Sequence, residues 1–151
     1  MPAQIVTEGP YAGWKKWHAR PEGRFVDGLG DVHYRDEPLD GHPGVTCLIE
    51  TGRQHSNGLG FLHGGFLMAM VDVALFATIR HLLETQAAVT LQASTDFLGA
   101  AAIGKPLELR GRIVKETGKL VWVTGVLTQD GGSFLVGQFN GLLRKVPRPS
   151  R

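Results

Sequence analysis

A long apolar segment that contains a single carboxylate constrains this chain more than any other feature. Residues 64–79 read GGFLMAMVDVALFATI, and Asp72 is the only charged side chain between Arg53 and Arg80. Read as a helix, the segment places apolar or small residues three, four and seven positions from Asp72. We therefore expect a helix that is buried on nearly all sides, with the carboxylate among apolar neighbours.

Such a carboxylate needs a reason to be there. Taking an unpaired carboxylate out of water costs on the order of several kcal/mol. A chain that keeps one in an apolar helix often uses it as a general base or a nucleophile. The structural alternative is that Asp72 accepts hydrogen bonds across a subunit contact or lies at a helix edge.

The composition indicates one ordinary globular domain. The chain has 151 residues, of which 42% are hydrophobic and 20% charged, with a net charge of +2. Basic residues are scattered, so we expect no nucleic-acid partner. The uncharged parts of the apolar segment are shorter than the ~20 residues of a membrane span, so we expect no membrane insertion. The single cysteine, Cys47, and the absence of a signal-like N-terminus lead us to expect a cytoplasmic location.

The order of the patterned segments predicts an α+β fold. The helix is expected to begin at Gly64 or Gly65, with Arg80 and His81 in its last turn. Runs separated by turn residues are predicted to be strands, at residues 45–50, 89–98, 107–116, 120–128 and 134–143. This order predicts a curved antiparallel sheet wrapped around one long helix. Because one sheet covers only part of an apolar helix, we expect a second subunit to cover the rest.

The first forty residues differ in composition from the remainder. They are rich in glycine, proline and aromatic residues, and residues 11–20 are predicted to form a short helix that rests Trp14 and Trp17 on the body. Residues 24–35 are expected to be irregular or weakly extended. The predicted divisions are an N-terminal extension that packs on the domain, the domain and a C-terminal tail, at residues 1–43, 44–146 and 147–151.

A glycine-rich turn leads into the helix. His63, Gly64 and Gly65 lie where the first free N–H groups and the positive end of the helix dipole are expected. This position suits a phosphate, a carboxylate or a developing oxyanion, although a plain glycine-rich helix entry is the alternative. Asn57 has an amide that can orient a carbonyl or a water, and its alternative role is that of a turn residue.

Other motifs point to no separate chemistry. Residues 99–105 match the start of a P-loop, but Pro106 replaces the required Ser or Thr and a strand follows. Residues 58–60 are an incomplete dinucleotide fingerprint, and no Gly-x-Ser-x-Gly elbow is present. The six histidines show no metal-binding spacing, so no metal or other cofactor is expected. His55 is interpreted as a loop or strand-end residue.

Residues 55–65, HSNGLGFLHGG, followed by Asp72, resemble the hotdog-fold acyl-CoA thioesterases. The closest resemblance is to the branch typified by the phenylacetate-degradation thioesterases and thioesterase superfamily member 2. That pattern is Asn, Gly, His-Gly-Gly and an Asp on the central helix nine residues after the His. The other branch carries a Glu on the helix. The resemblance covers about residues 44–146.

The resemblance implies a role for each matching residue. Asp72 is expected to act as general base or nucleophile toward a thioester carbonyl. The N–H of Gly64 is expected to polarise the carbonyl oxygen, while Asn57 orients the carbonyl and His63 shapes the turn. Thr90, on the strand after the helix, is expected to hold the attacking water together with Asp72.

The resemblance also implies an acyl-CoA substrate and a homo-oligomer. Gly65, Met68 and Phe97 are expected to contact the substrate, and in this family two subunits share each site. A dimer and a dimer of dimers are both open, as are aryl and medium-chain acyl groups. The alternatives are a non-catalytic hotdog domain that binds acyl groups or acts as an assembly scaffold, and a dehydratase of the same fold.

Overall fold

The computed structural model describes residues 3–17 and 19–150. Within them one α-helix, α1, spans Gly64–Thr78. The described residues also form eight strands, numbered in chain order: β1 Gln4–Ile5, β2 Lys15–Lys16, β3 Val32–Asp36, β4 Gly44–Ile49, β5 Ala87–Phe97, β6 Leu107–Glu116, β7 Leu120–Gln129 and β8 Phe134–Val146. Short 3-10 turns lie at Phe25–Gly28, Arg53–His55, Leu82–Glu84 and Asp130–Gly132.

The strands form one open antiparallel sheet. Its strand order is β1-β2-β3-β4-β6-β7-β8-β5. After β4 the chain passes through α1 to β5 at the far edge of the sheet, and β6, β7 and β8 then lie between β4 and β5. α1 lies against one face and packs on β4, β5, β6 and β8. The predicted α+β arrangement, a sheet around one long helix, is confirmed. No helix in the described residues is long and apolar enough to span a membrane.

Alternation along the strands places the core between the sheet and the helix. Leu107 and Leu109 of β6 are fully buried, whereas Glu108 between them points to the opposite face. On the helix, Met70 and Leu75 are fully buried against these strands. Burying each large aliphatic side chain contributes about 1.5–3 kcal/mol, which fixes the face that α1 turns toward the sheet.

Gly125 of β7 allows a very close contact in this core. A Cβ built at this position would collide with the backbone oxygen of Arg110 and with the ring of Phe139. We expect Gly125→Ala to lower the free energy of unfolding by about 1–3 kcal/mol, because strand and ring must both move. Urea unfolding followed by circular dichroism measures the change. Gly118→Ala is the matched control, since a Cβ at Gly118 has nothing within 4 Å; equal losses in both variants would refute the packing argument.

Two local predictions are wrong. Residues 11–17 form a turn and strand β2 instead of a helix, because Gly13 has a φ of +85° and Lys15 and Lys16 pair with β3. His18, which the predicted helix included, lies outside the described residues. α1 ends at Thr78, so Arg80 lies beyond the helix instead of in its last turn. Arg80 there donates to both carboxylate oxygens of Asp36 at 2.8 Å, and this contact draws it toward β3.

The N-terminal segment takes part in the sheet. Strand β3 pairs with β4 over five residues, from Val32 with Ile49 to Asp36 with Val45, and β2 and β1 continue the sheet outward. Trp14 is buried, and Trp17 packs against the core. The division of the chain at residues 43 and 146 stays a prediction.

Candidate active site

The N-terminus of α1 presents an open backbone donor. His63 is the N-cap residue, and its Nδ1 accepts a hydrogen bond from the N–H of Gly65 at 2.8 Å. The carbonyl of His63 accepts from the N–H of Leu67 at 3.0 Å. Among the described residues, the N–H of Gly64 has no acceptor. It therefore remains available, at the positive end of the helix dipole, for an acceptor from outside the chain.

Asn57 closes the loop that precedes this helix. Its Oδ1 accepts from the N–H groups of Leu59 and Phe61 at 2.8 and 3.1 Å, and its own N–H donates to the carbonyl of Phe61 at 2.7 Å. Asn57 is thus a turn residue, as the alternative interpretation had it. The same contacts use its amide oxygen and leave Nδ2 without an acceptor in the described part of the chain. The amide nitrogen can therefore donate to a ligand.

His55 fastens this loop to the body, a role that the sequence did not reveal. The side chain is buried; Nδ1 accepts from the N–H of Gly52 at 3.0 Å, and Nε2 lies 2.6 Å from the carbonyl of Leu29. Since Nδ1 is an acceptor, the ring proton is on Nε2 and points to Leu29. The ring also stacks on Phe66 of α1, with centroids 4.2 Å apart. Leu29 and Phe66 are 26 and 11 positions from His55 in the chain, so no local pattern marks these two contacts.

Asp72 and Thr90 meet on the open side of α1. The hydroxyl of Thr90 donates to Oδ1 of Asp72 at 2.6 Å, the short length typical of a hydroxyl bonded to a carboxylate. Thr90 stands beside a bulge at Leu91, where the register between β5 and β8 shifts. Bulges redirect side chains locally and recur next to active sites. The structure thus brings together the two residues that were expected to hold a water.

The expectation that Asp72 is buried is wrong for the single chain, in which the side chain is exposed. The sheet covers only one side of α1, and β5 is its last strand on this side. The open stripe of the helix consists of exposed or half-buried residues at helical spacing, namely Gly65, Met68, Ala69, Asp72 and Phe76. Phe97 of β5 continues this surface beside Gly64, and it is 53% exposed. Val89 and Leu91 are further exposed apolar residues of the same edge strand, at 46% and 53%.

The expected site residues fall into two groups within one chain. Asn57, His63, Gly64 and Gly65 lie at the start of the helix, and Phe97 is beside them, since a Cβ on Gly64 would be 3.7 Å from its ring. Asp72 and Thr90 form the second group. Asp72 is eight positions beyond Gly64, which is about 12 Å along a helix. Met68 lies on the open stripe between the groups. One carbonyl cannot contact both groups of the same chain.

Other reactive groups lie outside this region. No three His, Cys, Asp or Glu side chains among the described residues are placed to hold a metal ion. Cys47 is fully buried in β4, and burial raises the pKa of its thiol to about 12, so it is protonated and inert at neutral pH.

Comparison with known sequences gave one family. The sequence profile of the thioesterase superfamily matches residues 59–134, which include α1, the strands β5, β6 and β7, and the first residue of β8. A search of curated proteins by sequence found no match.

Solved structures with the same architecture are numerous. The E. coli PaaI protein from the phenylacetic acid degradation operon is 18% identical with a TM-score of 0.68, over 80% of this chain and 83% of that one. A hypothetical thioesterase protein with coenzyme A from Streptococcus pneumoniae is 21% identical with a TM-score of 0.65, over 78% and 91%. Zebra fish thioesterase superfamily member 2 is 23% identical with a TM-score of 0.60, over 75% and 80%. At these identities the likeness establishes the fold.

Proposed function

Since the chain belongs to the thioesterase superfamily, we propose that it is an acyl-CoA thioesterase that releases an aryl or medium-chain acid from coenzyme A. Its fold is the hotdog fold, and it is a thioester hydrolase. The observation that carries the proposal is the hydrogen bond from Thr90 to Asp72, which orients the Asp72 carboxylate on the open side of the helix. The coenzyme A in the Streptococcus pneumoniae structure and the phenylacetic acid operon of the E. coli protein support this substrate class.

We propose that two copies of the chain share each site. Two copies related by a twofold axis, with their α1 helices antiparallel, would bring Asp72 of one copy near Gly64 of the other. The 12 Å or so between these residues in one chain supports this arrangement, as do the unpaired edge of β5 and its exposed apolar side chains. A dimer, or a dimer of such dimers, would then cover the stripe that the single chain exposes. A cytoplasmic location is part of the same proposal.

In the proposed complex the thioester oxygen lies at the helix start. It accepts hydrogen bonds from the N–H of Gly64 and from Nδ2 of Asn57, two donors to which the described chain offers no acceptor. The helix dipole adds to these donors as negative charge develops on the oxygen. Removing one such donor costs about 2.7–4 kcal/mol in comparable sites.

The hydroxyl of Thr90 favours water as the nucleophile. Because Thr90 gives its one hydroxyl proton to Asp72, only its lone pairs are free to face a water. A water that donates to Thr90 and to Asp72 turns its own lone pair toward the carbonyl carbon. Asp72 takes the proton as the carbon–oxygen bond forms, and the proton passes to the sulfur of coenzyme A as the carbon–sulfur bond breaks. Direct attack by Asp72, through an anhydride, is the alternative.

Replacing Thr90 tests the water-holding role. We expect Thr90→Val to lower kcat about 10- to 100-fold with little change in KM, since the isosteric side chain removes one polar partner of the reacting water. Thr90→Ser should keep most of the activity. Steady-state kinetics with one acyl-CoA substrate measures both variants. If valine and serine perform equally well, the hydroxyl has no part in the reaction.

A release assay for free thiol tests the function itself. The wild-type protein is offered aryl, short-chain, medium-chain and long-chain acyl-CoA, and we expect the highest kcat/KM with an aryl or medium-chain group. Equilibrium binding of the same ligands is measured in parallel. Binding without turnover of any thioester would refute hydrolysis and favour a non-catalytic acyl-binding domain.

A further inference from the structure

A groove borders the Asn57 loop and is lined by no residue of α1. Its volume is about 560 Å³, within the range of small-molecule sites. Arg53, Ser56, Asn57 and Ile103 line it together with four glycines. Asn57 therefore contributes to the wall of this groove while its Nδ2 belongs to the candidate active site.

Arg53 supplies the charge of this groove. Its carbonyl accepts from the N–H and the hydroxyl of Ser56 at 3.1 and 2.7 Å, which fixes the turn that carries it. Its guanidinium is exposed and has no acidic partner in the described part of the chain. Lys105, which follows Gly104 in the chain, is by contrast paired with Asp130 at 2.9 Å. Arg53 is thus the free cation of the groove.

The floor of the groove is open backbone. A Cβ built on Gly58, Gly60 or Gly104 would have nothing within 4 Å, so a ligand can lie directly against these peptides. Gly60 and Gly104 also have φ values of +85° and +82°, which favour glycine. Ile103 adds an apolar wall. Peptide surface, an apolar wall and a guanidinium together suit a phosphate-bearing group such as a nucleotide.

Three other cavities of the described chain lie elsewhere. Two lie at the end of α1, lined by Thr78 or by His81, about 21 Å along the helix from Gly64. A third lies on the far face of the sheet, beside Trp122. Of these four cavities, the groove at Arg53 is the one that shares a residue with the Asn57 loop, where the thioester is proposed to bind.

From this placement we infer that Arg53 binds a phosphate of coenzyme A in this groove, an inference that rests on the proposed function. The acyl carbonyl lies at Asn57, and the pantetheine arm passes over the glycine floor toward the guanidinium. The 3′-phosphate and the diphosphate share the chemistry that Arg53 recognises, so the test separates them.

Kinetics with two forms of one acyl group test the inference. The acyl-CoA carries the phosphates, and the N-acetylcysteamine thioester of the same acid lacks them. We expect Arg53→Ala to raise KM for the acyl-CoA about tenfold and to leave KM for the phosphate-free thioester within about twofold. Arg144→Ala is the matched control, because Arg144 is exposed, has no ion pair in the described residues and lies at the far end of β8. We expect no change in its KM for either thioester.

Product inhibition identifies the phosphate. Coenzyme A, 3′-dephospho-coenzyme A and pantetheine are compared as inhibitors of wild type and Arg53→Ala. If Arg53 binds the 3′-phosphate, Arg53→Ala should bind coenzyme A and 3′-dephospho-coenzyme A with equal affinity. If Arg53 binds the diphosphate, Arg53→Ala should bind both of these inhibitors more weakly than the wild type does, while its affinity for pantetheine stays the same. An unchanged KM for acyl-CoA, or an equal rise for both thioesters, would overturn the inference. A wild type that hydrolyses neither thioester would instead refute the proposed function.

Discussion

Asp72→Asn should lower kcat by about 10³- to 10⁴-fold, the loss expected when a general base is removed. Asparagine has the size of aspartate and its oxygen still accepts the hydrogen bond from Thr90, but it cannot take a proton from water. The loss corresponds to about 4–5.5 kcal/mol of transition-state stabilisation. Single-turnover and steady-state assays with the best acyl-CoA of the panel measure it.

The control for this variant is Asp96→Asn. Asp96 is an exposed carboxylate on the same strand as Thr90, and it accepts from Nε2 of Gln138 at 2.9 Å, a bond that asparagine can keep. We expect the control to retain full activity and both variants to unfold at the wild-type urea concentration. If Asp72→Asn retains more than about a tenth of the wild-type kcat, Asp72 is neither base nor nucleophile.

Asn57→Asp should lower kcat by about 10²- to 10³-fold. A carboxylate oxygen still accepts from the N–H groups of Leu59 and Phe61, so the loop keeps its shape. The substitution nevertheless removes the Nδ2 donor and places a negative charge beside the developing oxyanion. We therefore expect a loss in kcat that exceeds the change in KM, measured with the same acyl-CoA.

Asn140→Asp controls for the added charge. Asn140 is an exposed residue of β8 on the face of the sheet away from α1. We expect it to leave kcat unchanged. Equal activities of the two variants and the wild type would show that the amide of Asn57 does not contact the reacting carbonyl.

The sequence predicted those elements whose boundaries are set by local chemistry. β6 was predicted at residues 107–116 and spans Leu107–Glu116, because Pro106 and the Thr117–Gly118 turn end its alternation on both sides. The start of α1 was predicted at Gly64 or Gly65 and lies at Gly64, where the glycine-rich turn leads into the apolar segment.

Features that depend on distant partners were missed. A helix considered alone does not show which side its sheet covers, so Asp72 was expected to be buried although its stripe is open in the single chain. Strand β3 lies largely in a segment that was expected to be irregular or weakly extended, and its five residues form a strand through their pairing with β4. The contacts of His55 with Leu29 and Phe66 likewise arise only in the folded chain. In the proposed dimer the two groups of site residues would meet only between copies, which the sequence of one chain does not reveal.

Mixing two inactive variants tests this shared site most directly. Asp72→Asn and Asn57→Asp chains are co-expressed at equal levels and assayed for thiol release beside each variant alone. If Asp72 of one copy acts on a carbonyl held by the other, each mixed dimer regains one intact site, and the mixture should recover about a quarter of the wild-type activity. A mixture as inactive as its parents, once mixed dimers are demonstrated, would contradict a site shared between two copies.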